Sequence, residues 1–369
     1  MYQPVDGDVL TALARGPYAV SVSCLAYRGG ERVAVPLTVT SGSVTMSPGT
    51  GTRATLDVSF APARGLRDAL SPSGLVLRPE WIITWGAMGR EVVPFGEFLV
   101  DSQDVEYDRD SGGVSVTAPD TWTRVVRRRL APQTPSGRAV NIAAKWVREA
   151  HGDLAGEVLS PSTARVWGRR YEHKRSESVR ELLAGVGLQA YIDRRRRLVV
   201  DDMPDLLAPP TWEVTPVGRS GTFASASSQR SAQDVTNSYS VHPDVPGRFK
   251  PFLVEDTNPR SPTRVTGPMG RLTAEEPLVF PGVSDPAIAS LAAKARLRRT
   301  TSLAFTTRVT AAPNPFIDPD DAGIVTFPSQ GGDGSYSEKA IVREVTHPLV
   351  PGELMSLSLR SSNPLADQE

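Results

Sequence analysis

The sequence has one cysteine, Cys24, five lysines and four histidines in 369 residues. A lone cysteine excludes an internal disulfide and any cysteine-rich zinc site, and a reducing compartment is the simpler folding environment. Long apolar runs are also missing. Stretches such as Trp81–Ile83 and Phe98–Val100 cover a few residues, against the ~18 or more that a membrane-spanning helix needs. Residues 1–8 carry no basic segment and no apolar stretch follows, so a soluble chain without a secretory leader, starting in the cytosol, is expected. Net charge is absent too, with Lys plus Arg and Asp plus Glu at 41 each. That balance argues against a dedicated nucleic-acid binder, whose domain is normally basic. Because so few of the basic residues are lysine, 36 are arginine, a skew that fits a GC-rich coding sequence.

The motifs of common enzymes are missing as well. His151, His173, His242 and His347 form no His-x-x-x-His pair, and there is no His-Glu-x-x-His, the spacings that set two zinc ligands on one helical face. Neither Gly-x-x-x-x-Gly-Lys-Ser/Thr nor Gly-x-Gly-x-x-Gly occurs. The looser form at Gly185–Ala190 leads from a helix into a strand, the reverse of the dinucleotide context. Gly-x-Ser-x-Gly is absent, which removes the simplest serine-hydrolase reading. Cys24 falls on the apolar face of a strand pattern, the setting of an inert thiol.

Some candidates remain. Asp201 with Asp202, and Glu275 with Glu276, are the acid pairs that a glycosidase would use, set against the ordinary fate of such pairs as solvated turn residues. Asp318-Pro319-Asp320-Asp321 offers carboxylates in a turn but lacks the EF-hand spacing, and reads as an Asp-rich turn entering a strand. Arg127–Arg129 and Arg194–Arg197 have no interleaved aromatics and read as solvated or intersubunit faces. The six tryptophans are scattered, as core residues are. No catalytic, cofactor-binding or metal-binding residue is assigned, and no cofactor is expected.

What is abundant is punctuation: 32 prolines and 31 glycines, suited to many short strands and turns. Tyr18–Cys24 and Thr52–Phe60 alternate apolar with polar residues, the period of half-buried strands. Further strands are predicted at Glu91–Val100, with Pro94 marking an edge or bulge, and at Asp104–Tyr107 and Gly113–Ala118. The middle changes period. Val140–His151 reads as a helix, Ser178-Val179-Arg180-Glu181 as a capping box opening a second one, and Leu188–Ile192 and Leu198–Asp201 as strands. Strands return at Asn237–Val241, Ser302–Ala311, Gly323–Phe327, Lys339–His347 and Leu354–Arg360, interrupted by a helix capped by Asp285. The expected fold class is mainly β with an α/β insert. Two antiparallel β-barrel-like domains, 1–130 and 213–369, would flank a small α/β domain at 131–212.

The order of several segments carries a family resemblance. Gly42-Ser43-Val44-Thr45 followed by Thr52–Val58, the strand Val93-Pro94-Phe95-Gly96-Glu97-Phe98-Leu99-Val100-Asp101, and Ala118-Pro119-Asp120 lie in the first third. Tyr191-Ile192-Asp193, Pro313-Asn314-Pro315 and His347-Pro348-Leu349-Val350-Pro351-Gly352 follow later. In this order they resemble the tail hub or baseplate hub proteins of tailed bacteriophages, particularly siphophage minor tail proteins of high-GC hosts. The resemblance implies a structural, non-enzymatic homotrimer whose two β domains per chain make a pseudo-sixfold ring around the DNA exit channel. It further implies a virion position at the tail tip, assembly in the host cytoplasm and no membrane insertion. The implied neighbours are a distal tail ring protein, the tail tube or tape measure, and tip fibre or spike proteins, with phage DNA passing transiently. The other readings are a sixfold distal ring protein, a cell-wall glycan hydrolase using an acid pair, and a carbohydrate-binding module.

Overall fold

The structure is a computed structural model, and it describes residues 17–48, 51–107, 112–166, 169–204, 208–216, 222–230, 235–259, 261, 263–280, 282–283, 285–301, 305–328 and 335–361, with single positions 4, 9 and 13. It is mainly β. In the first third Tyr18–Arg28 pairs antiparallel with Leu75–Trp85, which pairs onward with Gly89–Pro94 and Phe98–Leu99. The strand expected over Glu91–Val100 breaks in two. Pro94 ends the first piece, and Gly96, at φ 115°, turns the chain before Phe98 resumes pairing.

The largest sheet runs, in spatial order, Phe223–Arg230, Phe305–Ala311, Met355–Ser361, Ser335–Pro348, Val39–Met46, Ala54–Phe60, Gly112–Pro119 and Ser102–Tyr107. Every neighbouring pair along this path is antiparallel. The first four strands come from the C-terminal β region and the last four from the N-terminal one. They meet where Val345, Thr346, His347 and Pro348 pair with Met46, Thr45, Val44 and Ser43. Trp212–Val214 and Ala322–Pro328 complete the sheet beside the other half of Ser335–Pro348. The two β regions therefore share one sheet. They also share one core, in which Val44, Leu56 and Phe95 join the same cluster as Phe316, Val325 and Leu357. On the other side of Val39–Met46, Gly42 makes the close approach to Ala54–Phe60 possible, because a Cβ there would lie 2.5 Å from the Asp57 carbonyl oxygen.

The middle unit has its own core around Trp146, Leu182, Leu183 and Leu198. Helix Ala139–His151 ends at Gly152, whose φ of 79° closes its last turn. The second helix begins at Arg175, one turn before the proposed capping box, so Ser178 lies buried inside it. Tertiary contacts override the local signal here. The Arg175 guanidinium is buried and donates to the Trp146 carbonyl at 2.7 Å and the Arg129 carbonyl at 3.1 Å, anchoring that extra turn. The unit's sheet places Arg197–Asp202 between Gly156–Leu159, parallel to it, and Leu188–Ile192, antiparallel.

A third, smaller core lies under Ser238–His242, which pairs with Phe252–Glu255 and Leu278–Val279 and is covered by helix Pro286–Thr301. Asp285 caps that helix as expected, its Oδ1 accepting the Ala287 N–H at 2.8 Å. Residues 302–304 of the next expected strand lie outside the described residues, and the strand is seen from Phe305. Among the described residues no helix is long and apolar enough to cross a membrane.

Candidate functional site

A cavity of ≈ 500 Å³ opens where the N-terminal strands, the middle unit and the C-terminal sheet meet. Each body supplies an element. Ala54–Phe60 brings Arg53 at its start, the Leu188–Arg197 hairpin brings Tyr191 and Arg194–Arg197, and the turn before Ala322–Pro328 brings Asp318–Asp321.

The walls are cross-linked by guanidinium groups. Arg53 Nη1 pairs with Asp320 Oδ2 at 3.1 Å, its Nη2 donates to the Pro319 carbonyl at 2.6 Å, and its plane lies 3.8 Å from the centre of the Tyr191 ring. Burial works against the Arg53 charge, but Asp320, Tyr191 and Asp318 outweigh it and raise the pKa above the ordinary arginine value. Burial pushes the Tyr191 hydroxyl up to about 12 although Arg53 opposes it. Gln189 Nε2 donates to the same Asp320 oxygen at 3.2 Å.

Arg194 is the deepest of these cations. Its Nε meets Asp318 Oδ1 at 2.6 Å, Nη1 donates to the Pro315 carbonyl at 2.6 Å, and Nη2 donates to the Ile317 carbonyl at 2.8 Å. The guanidinium lies 5.2 Å from the centre of the Phe95 ring. Arg196 bridges Glu97 at 3.0 Å and Asp153 at 2.7 Å, and Arg78 Nε donates to Glu97 at 2.6 Å. Asp120 is a buried bracket: Oδ2 accepts the N–H groups of Arg53 and Ala54 at 2.8 and 2.9 Å, and Oδ1 that of Trp122 at 3.1 Å. Burial raises its carboxyl to about 6, while those three donors restrain the rise. Burial and the nearby Asp318 likewise raise Asp321 to about 6.

The candidates read from sequence are scattered across the structure. Asp201 and Asp202 lie exposed at the end of their strand and line the cavity, whereas Glu275 and Glu276 are exposed on a distant loop and do not. Asp318 and Asp320 hold Arg194 and Arg53, and the Asp321 carboxylate accepts the Asp318 N–H at 2.8 Å, so this turn is a set of internal anion partners. Among the described residues no three His, Cys, Asp or Glu side chains converge as a metal site requires. Arg127–Arg129 is largely exposed, but the reading of Arg194–Arg197 as a solvated or intersubunit face is corrected. Arg194 is buried because its hairpin tip is inserted between two other segments of the chain.

His347 is buried at the sheet seam and pushed down to about 3 by burial and by Arg194. His151 is buried and lowered to about 4 by burial and by Arg124. His242 Nε2 lies 2.8 Å from Ser240 Oγ, and the side chain of His173 lies outside the described residues. Cys24 is buried, and burial lifts its thiol to about 12. Trp81, Trp122, Trp146 and Trp212 are core residues and Trp85 packs against the core, while Trp167 lies outside the described residues. The roles of Arg53, Glu97 and Asp120 had no local signal, since each depends on partners far away in the chain.

No family model and no curated protein sequence matches the chain. Solved structures match over almost its whole length. The tail protein from Neisseria meningitidis MC58 superposes with a TM-score of 0.66 at 14% identity, covering 93% of this chain and 97% of that one. The 43 kDa tail protein of prophage MuSo2 from Shewanella oneidensis gives 0.61 at 14%, covering 94% and 99%. The E. coli c3393 protein, a type VI secretion component similar to the T4 bacteriophage tail proteins gp27 and gp5, gives 0.54 at 11%, covering 93% and 77%. The chain has the fold of phage tail and baseplate proteins, in agreement with the resemblance carried by Val93–Asp101 and His347–Gly352.

Proposed function

We propose that this protein is a structural hub subunit at the tip of a phage tail, without catalytic residues, cofactor or metal. The observation that carries the reading is end-to-end agreement with whole tail proteins, 93% of this chain against 97% of the Neisseria protein. The crowded cavity supports it. Its principal arginines are held by carboxylates and carbonyls of the chain itself, as in a brace between bodies.

The finer reading is a homotrimer. The main path of the large sheet takes four antiparallel strands from each β region on either side of one seam. Two such halves per chain, times three chains, give the pseudo-sixfold ring that a sixfold tube can seat upon. The sheet path also ends in two strands with an unpaired edge among the described residues, Phe223–Arg230 and Ser102–Tyr107. Residues 224–229 are exposed on both faces of the first. A long bare edge is normally blunted or covered, and a neighbouring copy would cover it. The proposed division is at about 1–130, 131–212 and 213–369, the two outer parts joined through one sheet and one core and Trp122 and Val125 packed into the middle unit.

In the virion the ring would enclose the channel through which DNA leaves. It would contact a distal tail ring protein, the tail tube or tape measure, and tip fibres or a spike, after assembly in the host cytoplasm and without membrane insertion. Symmetry-resolved imaging of purified tails tests this reading. Three copies at the tip support it, whereas six copies indicate a distal ring instead.

A further inference from the structure

The sheet of the middle unit ends in a bare edge. Among the described residues Gly156–Leu159 pairs with Arg197–Asp202 on one side and with nothing on the other. The hydrogen bonds fix which main-chain groups face outward. Asp193 N–H donates to the Arg197 carbonyl at 2.9 Å and Met203 N–H to the Gly187 carbonyl at 3.1 Å. Arg197, Val199 and Asp201 therefore turn their backbone groups toward Leu188–Ile192, and Leu198 and Val200 turn theirs toward Gly156–Leu159. Ser160 N–H accordingly reaches the Val200 carbonyl at 2.7 Å. Val158 and Ser160 bond inward, and Glu157 and Leu159 present N–H and C=O to the open edge.

The register also divides the side chains between two faces. Val158, Val199 and Tyr191 stand in one row and line the ≈ 500 Å³ cavity. In the next row on that face Asp201 stands opposite Gln189, and the small Ser160 falls beside Asp201 at the edge. The edge itself is apolar. Val158 and Leu159 are 43% and 36% exposed, and Glu157 is already paired with Arg148 at 2.9 Å. Bare edges are ordinarily charged or covered. At one end of the cavity face Arg197 is neutralised by Asp193 at 2.7 Å. At the other end Asp201 and Asp202 are exposed and, among the described residues, join no ion pair.

We propose that this edge docks an extended, basic peptide segment of a partner protein, added as a further strand beside Gly156–Leu159. Glu157 and Leu159 supply the main-chain bonds, and an apolar side chain of the incoming strand enters the cavity beside Val158. A lysine or arginine two residues on, the spacing that keeps it on the same face, crosses Ser160 to Asp201 and Asp202. The same carboxylates repel a nucleic acid. The inference is independent of the hub reading and of the copy number.

A fluorescent, end-blocked peptide Thr-Lys-Leu-Val-Leu-Lys-Thr, which reads the same in either strand direction, tests it on the full chain. Binding followed by anisotropy is expected to weaken about tenfold when both lysines become glutamate, and about tenfold for Asp201→Asn, Asp202→Asn. Added salt should weaken wild-type binding more steeply than that of the double variant. Leu159→Pro removes one outward N–H without breaking a ladder bond, a change that edge strands tolerate. It should abolish binding while circular dichroism and melting temperature stay near wild type. If that variant does not fold, hydrogen exchange on the wild-type protein decides, since the Glu157 and Leu159 amides should gain protection when the peptide is added. No binding, binding indifferent to the change from lysine to glutamate, or no new protection at these two amides overturns the proposal. A wild-type oligomer that Leu159→Pro converts to monomer overturns it in favour of a contact between copies. Three copies at the tail tip without peptide binding overturn the docking edge and leave the hub reading standing.

Discussion

Arg194 Nη2 lies 3.2 Å from His347 Nε2, joining the tip of a hairpin in the middle unit to the strand that links the two β regions. The same histidine nitrogen is 3.0 Å from the Ile317 carbonyl, which also accepts from Arg194. The neutral imidazole and the guanidinium thus share one carbonyl at the seam. The hairpin turns sharply enough to reach it because Arg196 adopts φ 64° and Asp193 Oδ1 accepts the N–H groups of Arg195 and Arg197 at 2.9 and 2.8 Å.

Removing this clamp should destabilise the whole chain rather than the middle unit alone. Arg194→Ala strands Asp318 and two carbonyls, and is expected to cost ~2–4 kcal/mol, since loss of one partner leaves the other buried and unpaired. Arg194→Lys keeps the charge but not the planar fork, and should recover only part of the loss. Urea unfolding monitored by tryptophan fluorescence checks both. A loss below ~0.5 kcal/mol, the range of ordinary surface changes, would contradict the clamp.

The buried titratable groups set the acid response. His347, held near 3, and His151, held near 4, stay neutral in the fold but take up protons around 6.5 once unfolded. Each therefore contributes stability that is complete above pH 6.5 and lost as the pH falls toward its folded value, at ~1.4 kcal/mol per pH unit. Asp120 and Asp321, raised from 3.8 to about 6, act in the opposite sense, because the folded protein takes up their protons first. These groups give a fall in stability between pH 6.5 and 6, then a nearly level stretch down to about 4. In Asp120→Asn the level stretch should become a decline of ~1.4 kcal/mol per pH unit. Urea midpoints measured across that range check the sign.

Cys24 provides a built-in probe of opening. With its thiol buried and raised to about 12, it should resist disulfide reagents in the native protein and react at full stoichiometry in denaturant. Fast labelling under native conditions would mean that the Tyr18–Arg28 and Leu75–Trp85 pairing opens readily.

The bare edge strand separates folding from assembly. Ala226→Lys places a charge on an exposed position of Phe223–Arg230 and should leave monomer stability within ~0.5 kcal/mol of wild type. The same charge should block edge pairing between copies. Light scattering and thermal melts distinguish this from a variant that does not fold.

Much of the local structure was legible. Alternation located Tyr18–Arg28 and Ala54–Phe60, and Asp285 marked the start of the last long helix. Leu75–Trp85 was not legible as a strand, because its first three residues are all buried and Pro79 interrupts the pattern opposite Cys24. Phe223–Arg230 has too little apolar character to signal a strand, being the end of the sheet path among the described residues. The cavity was the least legible part. Arg53 and Asp320 are 267 residues apart, and no period or spacing links residues joined only by the folded topology. Arg194 stood out in sequence as part of a run, yet only the inserted hairpin tip shows why one arginine of four is buried.

The most direct test of the central claim is the number of copies of this chain at the tail tip, resolved by imaging with symmetry left free. The account predicts three copies whose eight-strand sheet paths join edge to edge, Phe223–Arg230 of one beside Ser102–Tyr107 of the next. Six copies, or three copies with both of those edges facing solvent, would contradict it.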